Sequence, residues 1–249
     1  MYLKQLFLLI LSSVLILPGT IFSQTESNLN ANLGANLVSR HIWRGLAIGG
    51  TNTSPAGPHA QPFVLIKYHP HESGTASIGF LGTYGLNNRY SESDFLINYS
   101  LSTPAGTFKA QIFDYHYPYT GINFTNVKND GSGAHTLEAS LNYTLPGQHP
   151  LSIFVSRNFH NVIEDDNTFY ASLSYPVELE QTQLKIFVGG AAGPSQWHVV
   201  SNENFTVTNL GVSASKSLSI TEEFSLPVSA TWTYNPHLEI SYIALGISI

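Results

Sequence analysis

The sequence predicts an all-β fold, a single antiparallel transmembrane β-barrel with short periplasmic turns and longer outer loops. Apolar and polar residues alternate along most of the chain after residue 30, as they do in strands that face two different environments. Charged residues make up 10% of the chain, against about 25% in ordinary soluble domains. The connections between the alternating segments switch between tight turns and longer stretches, which is typical of outer-membrane barrels.

The beginning of the chain has the organisation of a secretory signal peptide. Lys4 supplies the positive charge, residues 6–17 form an apolar run, and Ser23 is a small residue at the expected cleavage point. The apolar run is about 12 residues, whereas a spanning helix needs about 20, so a retained anchor helix is the less favoured alternative. We expect residues 1–23 to be removed and residues 24–249 to form the barrel domain in the cell outer membrane of a Gram-negative bacterium.

Composition also limits the partners and the sources of stability. The chain contains no cysteine, so no disulfide can hold this exported protein together. Its net charge of −6 argues against a nucleic-acid partner. Most of its polarity comes from Ser, Thr and Asn, so it has too few charged residues to cover a soluble surface.

The alternating segments predict the number of strands. We expect about twelve strands, an even number as in bacterial single-chain barrels. The predicted strands lie near residues 31–44, 61–69, 75–85, 93–102, 107–117, 136–145, 151–159, 167–176, 182–190, 205–217, 223–234 and 238–249. A soluble β-sandwich or a lipocalin-like barrel would also alternate, but it would carry charge on its outward face.

The start of the predicted barrel resembles a known family. The segment "SRHIWRG" is similar to the Ser-x-Tyr-x-aromatic-Arg-Gly pattern on the first strand of the TorF family of bacterial outer-membrane porins. The matching positions are Ser39, Trp43, Arg44 and Gly45. His41 replaces the tyrosine, and Arg40 stands where an aspartate is common. Residues 92–118 and the closing segment 234–249 also resemble the family, which implies an outer-membrane barrel with a porin role. The resemblance supplies no catalytic residues to assign.

The last predicted strand has an apolar outer side. Ile243, Leu245, Ile247 and Ile249 share one face, which we expect to contact outer-membrane lipid. Barrel proteins usually end in an aromatic residue, and this chain ends in Ile249. We expect this strand to be the segment that the barrel-assembly machinery recognises.

Charged residues within the strands are expected to point into the lumen. A Lys or Arg at the lipid midplane costs about 2–4 kcal/mol, which favours the inward side. The candidate luminal charges are Arg40, Arg44, Lys67, Asp94, Lys109, Glu138 and Lys185. This set is more basic than acidic, which predicts a weak anion preference unless the charges pair with one another. For Arg44 we expect a lumen or rim position beside a carboxylate, and secondarily a role in a constriction.

Aromatic residues near strand ends suit the interfacial girdles of membrane barrels. The candidate interfacial anchors are Trp43, Tyr68, Trp232 and Tyr234. Trp43 is expected where the first strand leaves the membrane.

The sequence therefore favours a narrow porin for passive diffusion of small solutes. A non-conducting structural or surface-interaction barrel is the first alternative, and a lipid-modifying enzyme is less favoured. Residues 193–198 and 160–166 combine Ser, His or acidic side chains, but neither segment contains a recognised nucleophile motif. We expect no catalytic, cofactor or metal site, because His69 and His71 suit a solvated turn better than a ligand set. The oligomeric state is left open.

Overall fold

The computed structural model describes residues 28–50 and 56–249. Twelve strands form one closed barrel in which every neighbouring pair is antiparallel. These strands are β1 (Leu29–Val38), β4 (His59–His71), β5 (Gly74–Gly85), β6 (Ser91–Thr103), β7 (Gly106–His116), β8 (His135–Thr144), β9 (Ser152–His160), β10 (Tyr170–Leu179), β11 (Thr182–Ala192), β12 (Phe205–Ser219), β13 (Ser225–Asn235) and β14 (Ile240–Ser248). The predicted fold class and strand number are confirmed.

The barrel closes where its first and last strands meet. β1 pairs with β14 on one side and with β4 on the other. The backbone N–H of Ala35 donates to the carbonyl of Ile249 at 2.9 Å, and the N–H of Ile249 donates to Ala35 at 3.0 Å. The N–H of Ser39 donates to Leu245 at 2.8 Å. Closure gives each strand two partners, so the sheet exposes no unpaired edge.

The two ends of the barrel differ in their connections. At the turn end, short segments join the strands within each hairpin, such as residues 72–73, 104–105 and 180–181. At the loop end, the long connections span residues 39–58, 117–134, 161–169 and 193–204. The connections 86–90 and 236–239 at this end are short, as the sequence indicated. The 117–134 loop begins with a 3₁₀ turn at Pro118–Thr120.

The barrel wall is apolar outside and polar inside. Strongly exposed outward side chains include Leu33, Ile78, Ile97, Leu141, Ile186, Ile243 and Leu245. Buried inward side chains include Ser77, Asn98, Glu138, Ser140, Asn158, Thr233 and Asn235. This distribution is the reverse of a soluble fold, in which the buried face is the apolar one. The alternation that predicts the strands therefore separates an apolar exterior from a polar lumen.

The first predicted strand is wrong at its end. Residues 31–44 were expected to form one strand, but β1 stops at Val38. Two further strands, β2 (Ile42–Trp43) and β3 (Leu46–Ala47), pair only with each other. Arg44 and Gly45 join them with φ of 48° and 88°, the two left-handed positions of a type I′ hairpin turn. The other eleven predicted segments each match one strand of the barrel.

Residues 1–23, the expected signal peptide, lie outside the described residues. Within the described ranges, no helix is long and apolar enough to cross a membrane.

The seam between β1 and β14 generates a prediction. Removing residues 247–249 deletes the pairs Leu37↔Ile247 and Asn36↔Ser248 and both bonds between Ala35 and Ile249. We expect a loss of about 2–4 kcal/mol, at roughly 1 kcal/mol per backbone hydrogen bond, measured by urea unfolding of the refolded barrel. Ile249→Ala keeps the backbone bonds and serves as the control. Equal stability of the truncated and full chains would contradict this closure.

Candidate functional site

The β2–β3 hairpin lies inside the barrel and crosses its lumen. On one side, the carbonyl of Gly45 accepts a hydrogen bond from Asn235 Nδ2 on β13 at 3.2 Å. Gly45 also packs so closely on the backbone of Thr208 that a Cβ would overlap it, which explains the glycine. On the other side, Arg44 reaches Glu138 on β8. The hairpin tip therefore connects two separate parts of the wall.

Arg44 and Glu138 form a buried, two-pronged ion pair. Arg44 Nη2 donates to Glu138 Oε1 at 2.8 Å and to Oε2 at 2.7 Å. The side chains of Arg44 and Glu138 are 9% and 3% exposed. Tyr115 on β7 donates its hydroxyl to Glu138 Oε1 at 3.2 Å. Burial of such a pair is tolerated because each charge is matched by a partner and by further hydrogen bonds, and removing either partner would leave a buried unpaired charge.

Aromatic rings enclose the Arg44 guanidinium. Its central carbon lies 4.5 Å from the ring centre of Trp43 and 4.5 Å from that of Tyr170. Phe154 adds a third ring at 5.8 Å. Cation–π contacts of this kind stabilise a guanidinium that has left water. Arg44 is thus held by a carboxylate at its end and by rings on its faces.

His198, from the 193–204 loop, completes the surroundings of Arg44. Its Nε2 lies 3.1 Å from Arg44 Nη1, and its Nδ1 lies 3.2 Å from Ser195 Oγ. Because a guanidinium can only donate, Nε2 must accept, so the ring proton sits on Nδ1 and points at Ser195. The ring also stacks on Trp43 at 5.4 Å and on Tyr170 at 5.6 Å.

This geometry argues against a serine hydrolase at Ser195. A general base must accept the proton of the serine hydroxyl. Here the Nδ1–H of His198 donates to Ser195 Oγ, and its other nitrogen is occupied by Arg44. Both Ser195 and His198 are buried. The arrangement serves to fix the loop against the hairpin.

Two histidines outside the barrel strands are held neutral. Burial, and secondarily the Arg44 guanidinium, lowers the pKa of His198 to about 3. Burial, and secondarily nearby His59, lowers the pKa of His41 to about 4. Gln61 Nε2 lies 3.0 Å from His41 Nδ1, so that nitrogen is the acceptor. Neither ring adds a positive charge to the hairpin at neutral pH.

The hairpin separates two cavities. Toward the loop end lies a cavity of about 480 Å³, the vestibule, lined by His41, Trp43, Leu46, Ala47, Ile48, Gly49, Gly50, Arg89, Tyr90, Glu92, Tyr117, Tyr119, Gln196 and Trp197. On the lumen side lies a cavity of about 280 Å³, lined by Ile42, Arg44, Gly45, Lys185, Phe187, Asn209, Ser213, Thr231 and Thr233. Trp43 of the hairpin lines the vestibule, and the next residue, Arg44, lines the inner cavity.

Three predicted luminal lysines lie near the turn end of their strands. Lys67, Lys109 and Lys185 alternate with outward apolar neighbours and so point inward. Lys185 lines the same cavity as Arg44. In residues 28–50 and 56–249, none of the three takes part in an ion pair. These three lysines therefore lie in this half of the lumen without a direct ion-pair partner.

The other predicted charges have different surroundings. Glu138 and Asp94 are buried on the inward faces of β8 and β6. Arg40 and Arg44 were expected on one face of the first strand, but both follow the end of β1. Arg40 lies over the ring of Tyr242 on β14, 5.5 Å from its centre. Among the seven predicted luminal charges, Arg44 and Glu138 form the one direct ion pair in residues 28–50 and 56–249.

The interpretation of Trp43 as an interfacial anchor is wrong. Trp43 lies at the floor of the vestibule, stacked on His198 and edge-on to Trp197 at 5.9 Å. The reason is that the chain turns inward after β1 instead of leaving the barrel rim. Tyr68 and Trp232 are 49% and 41% exposed on the outer wall, and Tyr234 stacks on Trp232. These three lie on the face that the sequence predicted.

The expectation that charges within strands point inward fails at three positions. Arg157 on β9, Lys216 on β12 and Asp114 on β7 alternate with the inward residues and lie on the outer face. Asp114 Oδ2 lies 2.9 Å from His135 Nδ1. Arg157 is toward the loop end and Lys216 toward the turn end, where the cost of a basic residue on the lipid face of a barrel falls to about 0–1 kcal/mol.

Several residues of the site were missed from the sequence. Tyr115, Tyr170 and Asn235 sit on strands far along the chain from Arg44, and nothing local links them to it. The hairpin itself had a local signal, since an X-Gly pair between apolar dipeptides is a two-residue turn pattern. Across the part of the chain that the structure describes, no group of three or more His, Asp or Glu is placed to hold a metal ion.

Comparisons with known proteins bear on the fold. No protein-family model matches the chain, and no curated protein matches it. Among 20 matching chains of solved structures, one is reported as "Unveiling the Mechanism Behind the in-meso Crystallization of Membrane Proteins". It superposes with a TM-score of 0.50 at 8% identity, covering 88% of this chain and 83% of that chain. Similarity at this identity shows a shared barrel fold alone.

His198 generates a pH prediction. Its pKa is lowered from 6.5 to about 3 in the folded protein, so its stabilising effect is complete above pH 6.5 and declines as the unfolded chain takes up a proton below it. From about pH 7.5 to about pH 4.5, we expect the wild type to lose about 2–3 kcal/mol more stability than His198→Gln. Urea unfolding at both pH values measures this difference. Parallel losses in the two proteins would contradict a neutral buried His198.

Proposed function

We propose that this protein is an outer-membrane barrel that forms a narrow passage for small solutes, with the β2–β3 hairpin as its constriction. The observation that carries the proposal is the closed barrel with an apolar exterior and a polar interior. Exposed apolar side chains on every side of a barrel suit lipid, and buried Ser, Thr and Asn suit a wet lumen.

Three features of the sequence support the membrane location. Residues 1–23 have the pattern of an export signal, and the absence of cysteine suits a protein held by its lipid surroundings. The resemblance of "SRHIWRG" to the TorF family of porins supports the same location and a transport role. The outward aromatic residues Tyr68, Trp232 and Tyr234 supply the interfacial girdle that such a barrel needs.

The width of the barrel and the hairpin together suit small solutes. Eight strands leave room only for side chains, whereas 16–18 strands leave an aqueous channel. With twelve strands, this barrel is wide enough to hold a hairpin and a cavity on each side of it. A solute entering from the vestibule must pass the hairpin to reach the inner cavity, since Trp43 lines the first cavity and Arg44 the second. Passage is therefore slow or depends on movement of the hairpin.

The luminal charges favour anions. Lys67, Lys109 and Lys185 point into the lumen without ion-pair partners in the described ranges, whereas the Arg44–Glu138 pair is neutral as a unit. Rings of basic side chains favour anions in pores. The alternative from the sequence is that the luminal charges pair with one another and give no anion preference. Arg44 fits that alternative, but these three lysines do not.

The second candidate is a non-conducting structural barrel. One observation favours it, the tight attachment of the hairpin on both sides through Glu138 and Asn235. If the hairpin never moves, the barrel is plugged, and its role lies in its outer surface or its loops.

The constriction generates the first functional prediction. In planar lipid bilayers, we expect Arg44→Ala to raise single-channel conductance at least about twofold, because it removes the side chain that bridges the lumen. Arg157→Ala removes the same side chain from the outer wall and serves as the matched control. Absence of channels in both the wild type and Arg44→Ala would overturn the porin and favour the plugged barrel. Folding of each variant is checked by circular dichroism.

The lysines generate the second functional prediction. Replacing Lys67, Lys109 and Lys185 together by Gln should lower the chloride-to-potassium permeability ratio at least about twofold, since the lumen loses its unpaired positive charge. Reversal potentials under a salt gradient measure the ratio. Lys216→Gln, on the outer face of β12, is the control. A wild-type channel that selects cations would contradict the proposed anion preference.

A further inference from the structure

The vestibule is lined by aromatic side chains from four separate parts of the chain. Trp43 comes from the hairpin, Tyr90 precedes β6, Tyr117 and Tyr119 begin the 117–134 loop, and Trp197 belongs to the 193–204 loop. Its volume of about 480 Å³ falls within the range of about 300–1,000 Å³ for small-molecule sites. Convergence of distant aromatic residues on one cavity is more than the alternation of a barrel requires.

The rings that line the cavity contact one another in tilted or edge-on geometry. Tyr90 and Tyr119 have ring centres 5.2 Å apart, Tyr117 and Trp197 are 6.2 Å apart, and Trp43 and Trp197 are 5.9 Å apart. Tilted and edge-on contacts hold the rings in fixed orientations. The cavity therefore offers rigid apolar surfaces rather than flexible ones.

Polar groups stand between the rings. Glu92 is buried, and it accepts a hydrogen bond from the Tyr90 hydroxyl at 2.8 Å. Burial, and secondarily the Glu92 carboxylate, raises the pKa of Tyr90, so its hydroxyl stays protonated. Gln196 and Arg89 are exposed at the cavity. Donors and acceptors are thus available around the edges of the aromatic surfaces.

The lining has no excess of basic or acidic side chains. Arg89 is its one basic side chain and Glu92 its one acidic side chain, and His41, which also lines the cavity, is neutral. A site for an anion would concentrate Arg or Lys, and an aromatic cage for an organic cation gains from unbalanced negative charge. The balanced lining suits a neutral ligand.

We propose that the vestibule binds a neutral saccharide, with sugar rings stacked on the aromatic faces and hydroxyl groups bonded to Glu92, Arg89 and Gln196. A sugar ring has an apolar C–H face and a periphery of hydroxyl groups, which matches rigid rings edged by donors and acceptors. The proposal rests on the proposed function, since it names the class of solute that collects above the hairpin. It concerns the vestibule alone and does not require that the hairpin opens.

The tryptophans provide a direct test. The chain has three, of which Trp43 and Trp197 line the vestibule and Trp232 lies on the outer wall. In a Trp232→Phe background, titration of the detergent-solubilised protein with maltose or cellobiose should give a saturable change in fluorescence. Choline, as an organic cation, and citrate, as an anion, should give none. No saturable change with either disaccharide, or a change with choline or citrate alone, would overturn the proposal.

A pair of matched variants locates the binding. Tyr119 lines the vestibule and is 55% exposed, whereas Phe124, in the same loop, is 51% exposed and does not line it. In the same background, Tyr119→Ala should raise the disaccharide Kd about three- to tenfold through the lost ring contact, and Phe124→Ala should leave it unchanged. Equal effects of the two variants would place the binding elsewhere.

The binding titration tests the saccharide site, and the bilayer recordings test the porin. Either proposal can be contradicted while the other stands. Saturable binding without any conductance removes the porin and leaves the saccharide site. Conductance without saccharide binding removes the site and leaves the porin.

Discussion

The Arg44–Glu138 ion pair is the interaction on which the interior of this barrel depends. A guanidinium inside a barrel must be paired, because an isolated buried charge costs several kcal/mol. Glu138 supplies both oxygens at 2.7 and 2.8 Å, and Trp43 and Tyr170 cover the faces of the guanidinium. Satisfying this one charge fixes the hairpin tip across the lumen. The Arg44 guanidinium also sets the tautomer of His198 and contacts Trp43, which lies at the floor of the vestibule.

The outer wall imposes the second constraint. Each strand must show apolar residues outward, so polar and charged groups are collected inside, where they have to be bonded or hydrated. The chain meets this with small hydroxyl and amide side chains in most inward positions. Charges are few and occupy two regions, acids with Arg44 toward the loop end and lysines toward the turn end. The two cavities therefore differ in chemistry. The vestibule is aromatic with no excess of either charge, and the inner lumen is basic.

The sequence predicts the barrel well because period-2 alternation is a local property. All twelve strands and the inward positions of Lys67, Lys185 and Glu138 follow from it. The path after Val38 is mispredicted because the sequence prediction continues the first strand through residues 39–44, although Ser39 to Trp43 carry no regular alternation. Partners such as Glu138 and His198 are 94 and 154 residues from Arg44, and only the closed barrel brings them together. The placement of Trp43 failed because it depended on that path.

The central claim is that the hairpin lies inside a barrel whose outer wall faces lipid. Single-tryptophan variants reconstituted with brominated phospholipids test both parts of it, because bromine quenches only rings that lie near the acyl chains. With Trp232 as the only tryptophan, exposed on the outer wall, we predict strong quenching. With Trp43 as the only tryptophan, stacked on His198 inside the barrel, we predict almost none. Quenching of Trp43 as strong as that of Trp232 would place the hairpin outside the lumen and contradict the account.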